Sequence, residues 1–419
     1  MKRILSLIIA FMVVSNLSAQ KQISLQECFD FAVIHHPVYA QKALKAENSQ
    51  IEVENYKKDL LPQIILNGRA TYQNEVISLP FDIPNMDVPE LSKDQYKMTL
   101  DVNQVIYRGG IYQKQKNLEE LQQILEQLEV DQNLYHIKNE VKNLFVTVVL
   151  LDEQNKIIDS YEKRLKAKQK EMQALIEEGA ILETSADRIL VELIKAKQQK
   201  DEIAIKRAAL IENLETLTGQ ELNGVIELSL SQPQIEDQQQ SRLEFQYMLE
   251  TQNKLEYSKN LIDAQKLPKI SAFAQGGYGR PGFNYLSDNF SEFWMVGLNF
   301  QWKILNWNKH NNQKHIMDLN IQVIESQKQD FERNIEMALN QMRAEIEKWE
   351  VVLQSDPEVI RLRTNVAENA SHQMNQGVIT TSAYIEELQT LSQAEIDRKI
   401  HEIQLINSKL DYLNILGKL

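Results

Sequence analysis

A single cysteine, Cys28, serves a chain of 419 residues. No intramolecular disulfide can hold this chain together, and Cys28 lies in an apolar helical pattern where buried packing is the expected role. Thirteen glycines and nine prolines are few for this length, which points away from a loop-rich globule and towards long uninterrupted elements. Basic charge is in deficit too. The net charge of −13 disfavours nucleic acid as a partner, because such binding needs a concentrated basic surface. Beyond residue 19 no apolar run reaches the roughly 18 residues that a spanning helix requires, so any membrane insertion has to use β-strands. Catalytic motifs are missing as well: there is no Gly-x-Ser-x-Gly, no His-Glu-x-x-His and no Walker loop. The expectation is therefore no enzyme, no cofactor and no metal. His35-His36 stands before Pro37 and reads as a helix end, while His310 and His315 flank a helix start without carboxylate or cysteine partners.

One glycine motif needs a decision. Gly277-x-Gly279-x-x-Gly282 matches the dinucleotide-binding fingerprint, which has meaning only between a strand and a helix that receives a phosphate. Here Pro281, a short loop and another strand follow, so the glycines read as a strand end and a turn.

The chain opens MKRILSLIIAFMVVSNLSAQ: Lys2 and Arg3, then an apolar run from Ile4 to Val14, then Leu17-Ser18-Ala19. This pattern predicts a signal peptide over residues 1–19 and export of the mature chain. Gln20, not a cysteine, directly follows the expected cleavage site, so a lipid-anchored N-terminus is not expected.

The remainder repeats itself. Leu61-Pro62-Gln63-Ile64 returns as Leu267-Pro268-Lys269-Ile270, and Gly179 with Thr184-Ser185-Ala186 returns as Gly377 with Thr381-Ser382-Ala383. Leu217-Thr218-Gly219 answers Ile415-Leu416-Gly417, and the changing offset puts an insertion in the first copy, within Gln73 to Gln95. Residues 20–220 form a first repeat, 221–241 a polar linker and 242–419 a second repeat. Each repeat reads helix, strand, loop, strand, very long helix, tight turn, helix, with hairpins at about 63–107 and 269–305. The leading helix is expected from Leu25 to Leu60, and the long helices from Gln113 to Gly179 and from His310 to Gly377. Each long helix would span about 100 Å. Asp356-Pro357 is expected to kink or interrupt the second. Ile137, Val141, Leu144, Val148 and Leu151 step by four and three, as do Ile335, Leu339, Met342, Ile346 and Trp349, which is coiled-coil spacing.

The strands carry the functional signal. In YKMTLDVNQVIY, Tyr96, Met98, Leu100, Val102 and Ile106 share one face, opposite Lys97, Thr99, Asp101 and Asn103. The repeat partner puts Trp294, Val296, Leu298, Phe300, Trp302 and Ile304 on one face and Gly297, Asn299, Gln301 and Lys303 on the other. The preceding strands are weaker: Ile64, Leu66, Ala70 and Tyr72 oppose Asn67, Arg69, Thr71 and Gln73, and Ala272, Ala274 and Tyr278 form an apolar face whose polar side is broken by Phe273. Ten-residue strands of this kind fit an outer-membrane barrel with a wet interior; a half-buried soluble sheet has the same alternation. The Trp294, Trp302 and Trp307 series fits an interfacial girdle and lipid face better than a ligand-stacking box. Two hairpins give four strands, whereas closed membrane barrels start at about eight. Open edges in lipid would leave backbone groups unpaired, so the chain has to oligomerise. Two copies would leave hardly any channel, and three copies give a twelve-stranded barrel.

These residues resemble the TolC family of outer-membrane efflux and secretion channels. The resemblance rests on Ser24-Leu25 through His35-His36-Pro37, on Leu61-Pro62 and Leu267-Pro268 before strands, on Tyr107-Arg108-Gly109-Gly110 and on the two glycine turns. It covers both repeats. It implies a mainly α-helical tandem-repeat protomer with four β-strands, forming a homotrimer with a twelve-stranded barrel in outer-membrane lipid and an α-helical barrel in the periplasm of a Gram-negative bacterium. The linker would lie at the equator. The implied partners are a periplasmic adaptor protein and an inner-membrane pump. They would dock at the tips Gly179-Ala180-Ile181-Leu182 and Gly377-Val378-Ile379-Thr380. The resemblance also implies an acidic tunnel constriction just after the second tip; the matching positions are Ala383 and Glu386, with Glu387 adjacent, so one acidic position is replaced by alanine. A solvated helix face is the alternative for Glu386 and Glu387. The competing function is a soluble periplasmic coiled-coil adaptor or scaffold, which accounts for the seams but not for the four amphipathic strands. An outer-membrane enzyme would need a catalytic constellation that the sequence does not have.

Overall fold

A computed structural model describes residues 22–77, 91–177, 183–222, 228–235 and 241–419. The expected signal peptide, the first tip at Gly179 to Leu182, the loop around Pro80, Pro84 and Pro89, and parts of the linker lie outside the described residues.

In chain order the elements are β1 (Ile23–Ser24), α1 (Leu25–His35), α2 (Pro37–Lys58), β2 (Gln63–Tyr72), β3 (Asp94–Arg108), α3 (Ile111–Glu177), α4 (Glu183–Thr218), β4 (Leu228–Ser229), α5 (Leu243–Ala264), β5 (Lys269–Arg280), β6 (Ser291–Gln301), α6 (Lys309–Asn375) and α7 (Thr381–Leu416). Ser24 starts α1 with a capping box: Glu27 N–H donates to Ser24 Oγ at 3.3 Å, and Ser24 N–H donates to Glu27 Oε2 at 2.8 Å. The single leading helix expected from Leu25 to Leu60 is two helices. Pro37 pushes His36 out of the α region, to φ −67° and ψ 133°, so α1 ends there and Pro37 opens α2. Pro357 does not interrupt α6, which runs through it as one helix.

The chain divides into two compact units, and each draws on both halves of the sequence. The first holds the chain up to Gln41, Val130–Glu244 and Asp330–Leu419. Its main core gathers Cys28, Phe29 and Ala32 of α1 with Val141, Phe145 and Val148 of α3, joined by Leu214 of α4 and Leu410 of α7. Ile137, Val141 and Val148 of the seam are buried there and Leu144 partly so. Ile335 and Leu339 of the second seam pack on Tyr412 and Leu416, with Met342 and Ile346 alongside. Trp349 stacks on His401, with ring centroids 5.3 Å apart. β1 pairs in parallel with β4, a contact that the sequence did not announce because each strand is two residues long.

Charged side chains lock this unit as well. Lys142 of α3, 1 % exposed, is ion-paired to Asp411 of α7, which also accepts from Asn407 at 3.0 Å. Lys168 of α3 is 3 % exposed and donates to Glu171 at 2.9 Å, Ser371 at 3.1 Å and Asn375 at 2.5 Å. Removing the partners of either lysine would strand a buried charge.

The second unit holds Lys42–Glu129 and Phe245–Gln329. Its centre is a four-stranded sheet in the order β2-β3-β5-β6, antiparallel throughout. The two hairpins are joined by the β3–β5 ladder, where Val102 faces Ala274 and Tyr96 faces Arg280. β2 and β6 are the free edges among the described residues. A bulge in β3 breaks the ladder between Val105 and Tyr107.

Candidate functional site

The two faces of the sheet are built differently. On one face Ile64, Leu66, Met98, Leu100, Tyr278, Trp294, Val296, Leu298 and Phe300 are all exposed, the last four by 63 % or more. On the other face Thr99, Ser271 and Phe293 are buried. This inverts the arrangement of a soluble sheet, which buries its apolar side. Tyr96 and the half-buried Val102 belong to the apolar face with their register partners. Trp302 lies one residue beyond β6, where its indole N–H donates to the Lys266 carbonyl at 3.1 Å.

The polar face is organised around Asp101. Its carboxylate accepts from Asn67 of β2 at 2.6 Å, from Thr99 at 2.9 Å and from Gln275 of β5. Phe273, the aromatic that interrupts this polar face in the sequence, lies across from Gly297, where a Cβ would meet its ring at 2.9 Å. Phe293 does the same over Gly277, where a Cβ would come within 2.5 Å of the ring. Each glycine makes room for a phenyl ring that lies across the strand, a known way of protecting a glycine in a sheet. Gly277 and Gly279 thus sit inside β5, Gly282 lies just past it, and no helix receives a phosphate. Lys97 places its ammonium 4.6 Å from the Phe293 ring centre and 5.5 Å from that of Phe283.

At the hairpin ends, Ser92 N–H donates to Asp288 Oδ1 at 2.8 Å and the Ser92 hydroxyl donates to Oδ2, tying one loop to the other. These bonds hold the Asp288 carboxyl below its ordinary range. Arg280 is ion-paired to Asp94 and stacks near Tyr96 and Phe290.

The second tip is a five-residue turn between α6 and α7. Gly377 takes φ +71°, its N–H donates to the Met374 carbonyl at 3.0 Å, and Val378 N–H donates to the Gln373 carbonyl at 2.9 Å. This is a Schellman closure, and the left-handed conformation explains the glycine. Val378 is 67 % exposed, Ile379 packs against the cluster that includes Ile158 and Tyr384, and the Thr380 hydroxyl caps α7 by accepting from Ala383 N–H at 3.3 Å. Ala383 is half-buried in the first turn of α7. Glu386 follows on the exposed side, whereas Glu387 lies 3.6 Å from Arg363 of α6. Glu386 borders a cleft of about 380 Å³ shared with Tyr161 of α3, Glu192 and Lys195 of α4, and Gln389 of α7. Glu192 is ion-paired to Lys195 at 2.8 Å and accepts from Gln389 at 2.6 Å. Burial pushes the Tyr161 hydroxyl up to about 12, with the Glu192 charge adding to the shift.

No family model matches the sequence, and no curated protein matches it. Solved structures do match. The outer-membrane protein VceC of Vibrio cholerae superposes with a TM-score of 0.66 at 12 % identity, over 94 % of this chain and 96 % of that one. The CmeC outer-membrane channel of Campylobacter jejuni gives 0.64 at 15 % identity, over 94 % and 85 %. The open state of the MtrE outer-membrane channel of Neisseria gonorrhoeae gives 0.58 at 13 % identity, over 94 % and 88 %. This chain has the TolC-like channel fold. The long helices and amphipathic hairpins of the TolC-like fold are therefore as the sequence leads one to expect. Sequence reasoning missed the Phe293–Gly277 and Phe273–Gly297 pairs, Lys97 between its two rings, and the bulge; matched Phe and Gly at opposed strand positions were the only available signal for the first two.

Proposed function

We propose that the protein is an outer-membrane channel of a Gram-negative bacterium, a member of the TolC family that conducts solutes passively from the periplasm to the exterior. The observation that carries this reading is the sheet's exposed apolar side, together with two edge strands that are free among the described residues. Exposed apolar strands are satisfied by lipid, and free edges are tolerated there only when another strand pairs with them. Antiparallel order from β2 to β6 lets β6 of one copy meet β2 of the next without breaking alternation. Three copies then give twelve strands. Trp294, Val296, Leu298, Phe300 and their neighbours on β3 would face lipid.

On this reading a periplasmic adaptor docks at the Gly377–Thr380 tip, with Val378 as the exposed apolar contact, and at the corresponding Gly179–Leu182 segment. An inner-membrane pump supplies the energy. Glu386 would line the narrow entrance, and Glu387, close to Arg363, would contribute less. The test is fractionation of the exported protein. Heat-modifiable trimers in detergent-extracted outer membrane are expected; fully soluble monomers would overturn the channel and favour a coiled-coil scaffold.

A further inference from the structure

The polar face of the sheet carries more positive charge than an acidic chain would suggest. Four of its strand side chains are cationic: Arg69, Lys97, Arg108 and Lys269. Only Asp101 is anionic. The cations come as two directly opposed pairs, Arg69 against Lys97 at the loop end and Arg108 against Lys269 at the helix end. Like charges directly opposite one another destabilise an antiparallel pair, so neither pair is explained by sheet stability. None of the four forms an ion pair with a described residue, whereas Arg280, on the apolar face, is neutralised by Asp94. Asp101 is occupied by three neutral donors. Arg108 reaches this face only because of the bulge between Val105 and Tyr107; strict alternation would have turned it to the apolar side.

We infer that the barrel lumen is an anion-favouring segment, and that Arg69 with Lys97 at its outer mouth and Arg108 with Lys269 at its inner end set that preference. The inference rests on the channel reading above. The described strands of each chain contribute a net +3 to the lumen, repeated in every copy around the ring. Rings of Arg and Lys favour anions in a pore because the low-dielectric wall concentrates their field on the axis. The solutes passed most readily would be small anions or molecules bearing carboxylate, sulfonate or phosphate groups. The Lys97 ammonium, held over Phe293 and beside Phe283, is the fixed member of the outer pair.

The experiment measures reversal potentials of the full-length protein in planar bilayers under a potassium chloride gradient. The double variant Arg69→Gln/Lys97→Gln should lower the chloride-to-potassium permeability ratio by about twofold or more, as expected when a charged ring is neutralised. Heat-modifiable trimers confirm that the variant has assembled. In a second measurement, Lys97→Cys is modified with a cationic methanethiosulfonate reagent; Cys28 is fully buried, so the introduced thiol reacts alone. Modification restores the charge and should restore the ratio. Channels whose ratio is the same in the wild type, the double variant and the modified cysteine variant would overturn the inference while leaving the channel intact. A wild type that forms no channels would overturn the channel reading itself, and the inference with it.

Discussion

Cys28 shows how one residue's surroundings fix its chemistry. Its side chain is fully buried among Phe29, Ala32 and the α3 seam, and burial pushes the thiol up to about 11, with the Glu27 charge adding to the shift. A thiol that holds its proton more tightly when folded adds stability below its unfolded pKa, and loses that contribution as pH rises towards the folded value. Native protein at pH 8 should therefore resist iodoacetamide, and guanidinium-unfolded protein should react stoichiometrically; rapid native labelling would show that α1 does not close over this site. The role of Cys28 was legible from its apolar periodicity. Its partners on α3 were not, because that helix lies far away in the chain. Phe273 illustrates the converse. Its place on a polar face looked like an irregularity until Gly297, its register partner, was seen to leave room for the ring.

At the scale of elements, the long helices depend on their seams. α3 is 67 residues long and rich in Lys, Glu and Gln, so its stability in the first unit comes from what it packs against. Phe145, fully buried in the core beside that seam, should cost about 3–5 kcal/mol when truncated to alanine, because the transfer loss and a cavity add. A fall in the urea midpoint of the helical unit measures it; an unchanged midpoint would mean that α1, α4 and α7 do not close on α3 as described. The period of the seam was readable from the sequence, since one helix face is a local property. The break at His36 was readable in principle from Pro37. The uninterrupted run of α6 through Pro357 was not, because tertiary contacts on either side of a proline decide whether the helix goes on.

At the scale of the whole molecule, charge is distributed against the composition. An acidic chain of net charge −13 carries a basic polar face on its sheet, while the exposed Glu386 stands on a helix of the other unit. If Glu386 lines the entrance in three copies, Glu386→Gln should raise anion conductance in planar bilayers. That is the direction opposite to the lumen variants. An unchanged conductance and selectivity would assign Glu386 to a solvated helix face. The sequence by itself determined the strand alternation, the coiled-coil period and the glycine that closes the second tip, since each depends on neighbours within a few residues, and it showed the duplication because a repeat is read by comparing the sequence with itself. The tertiary structure alone decided that β3 of one repeat pairs with β5 of the other, that a bulge brings Arg108 to the polar side, and that opposed glycines seat Phe273 and Phe293. Those outcomes depend on register between distant strands. A single shifted residue reverses which side a side chain faces, and nothing local to a strand records where its partner's register breaks.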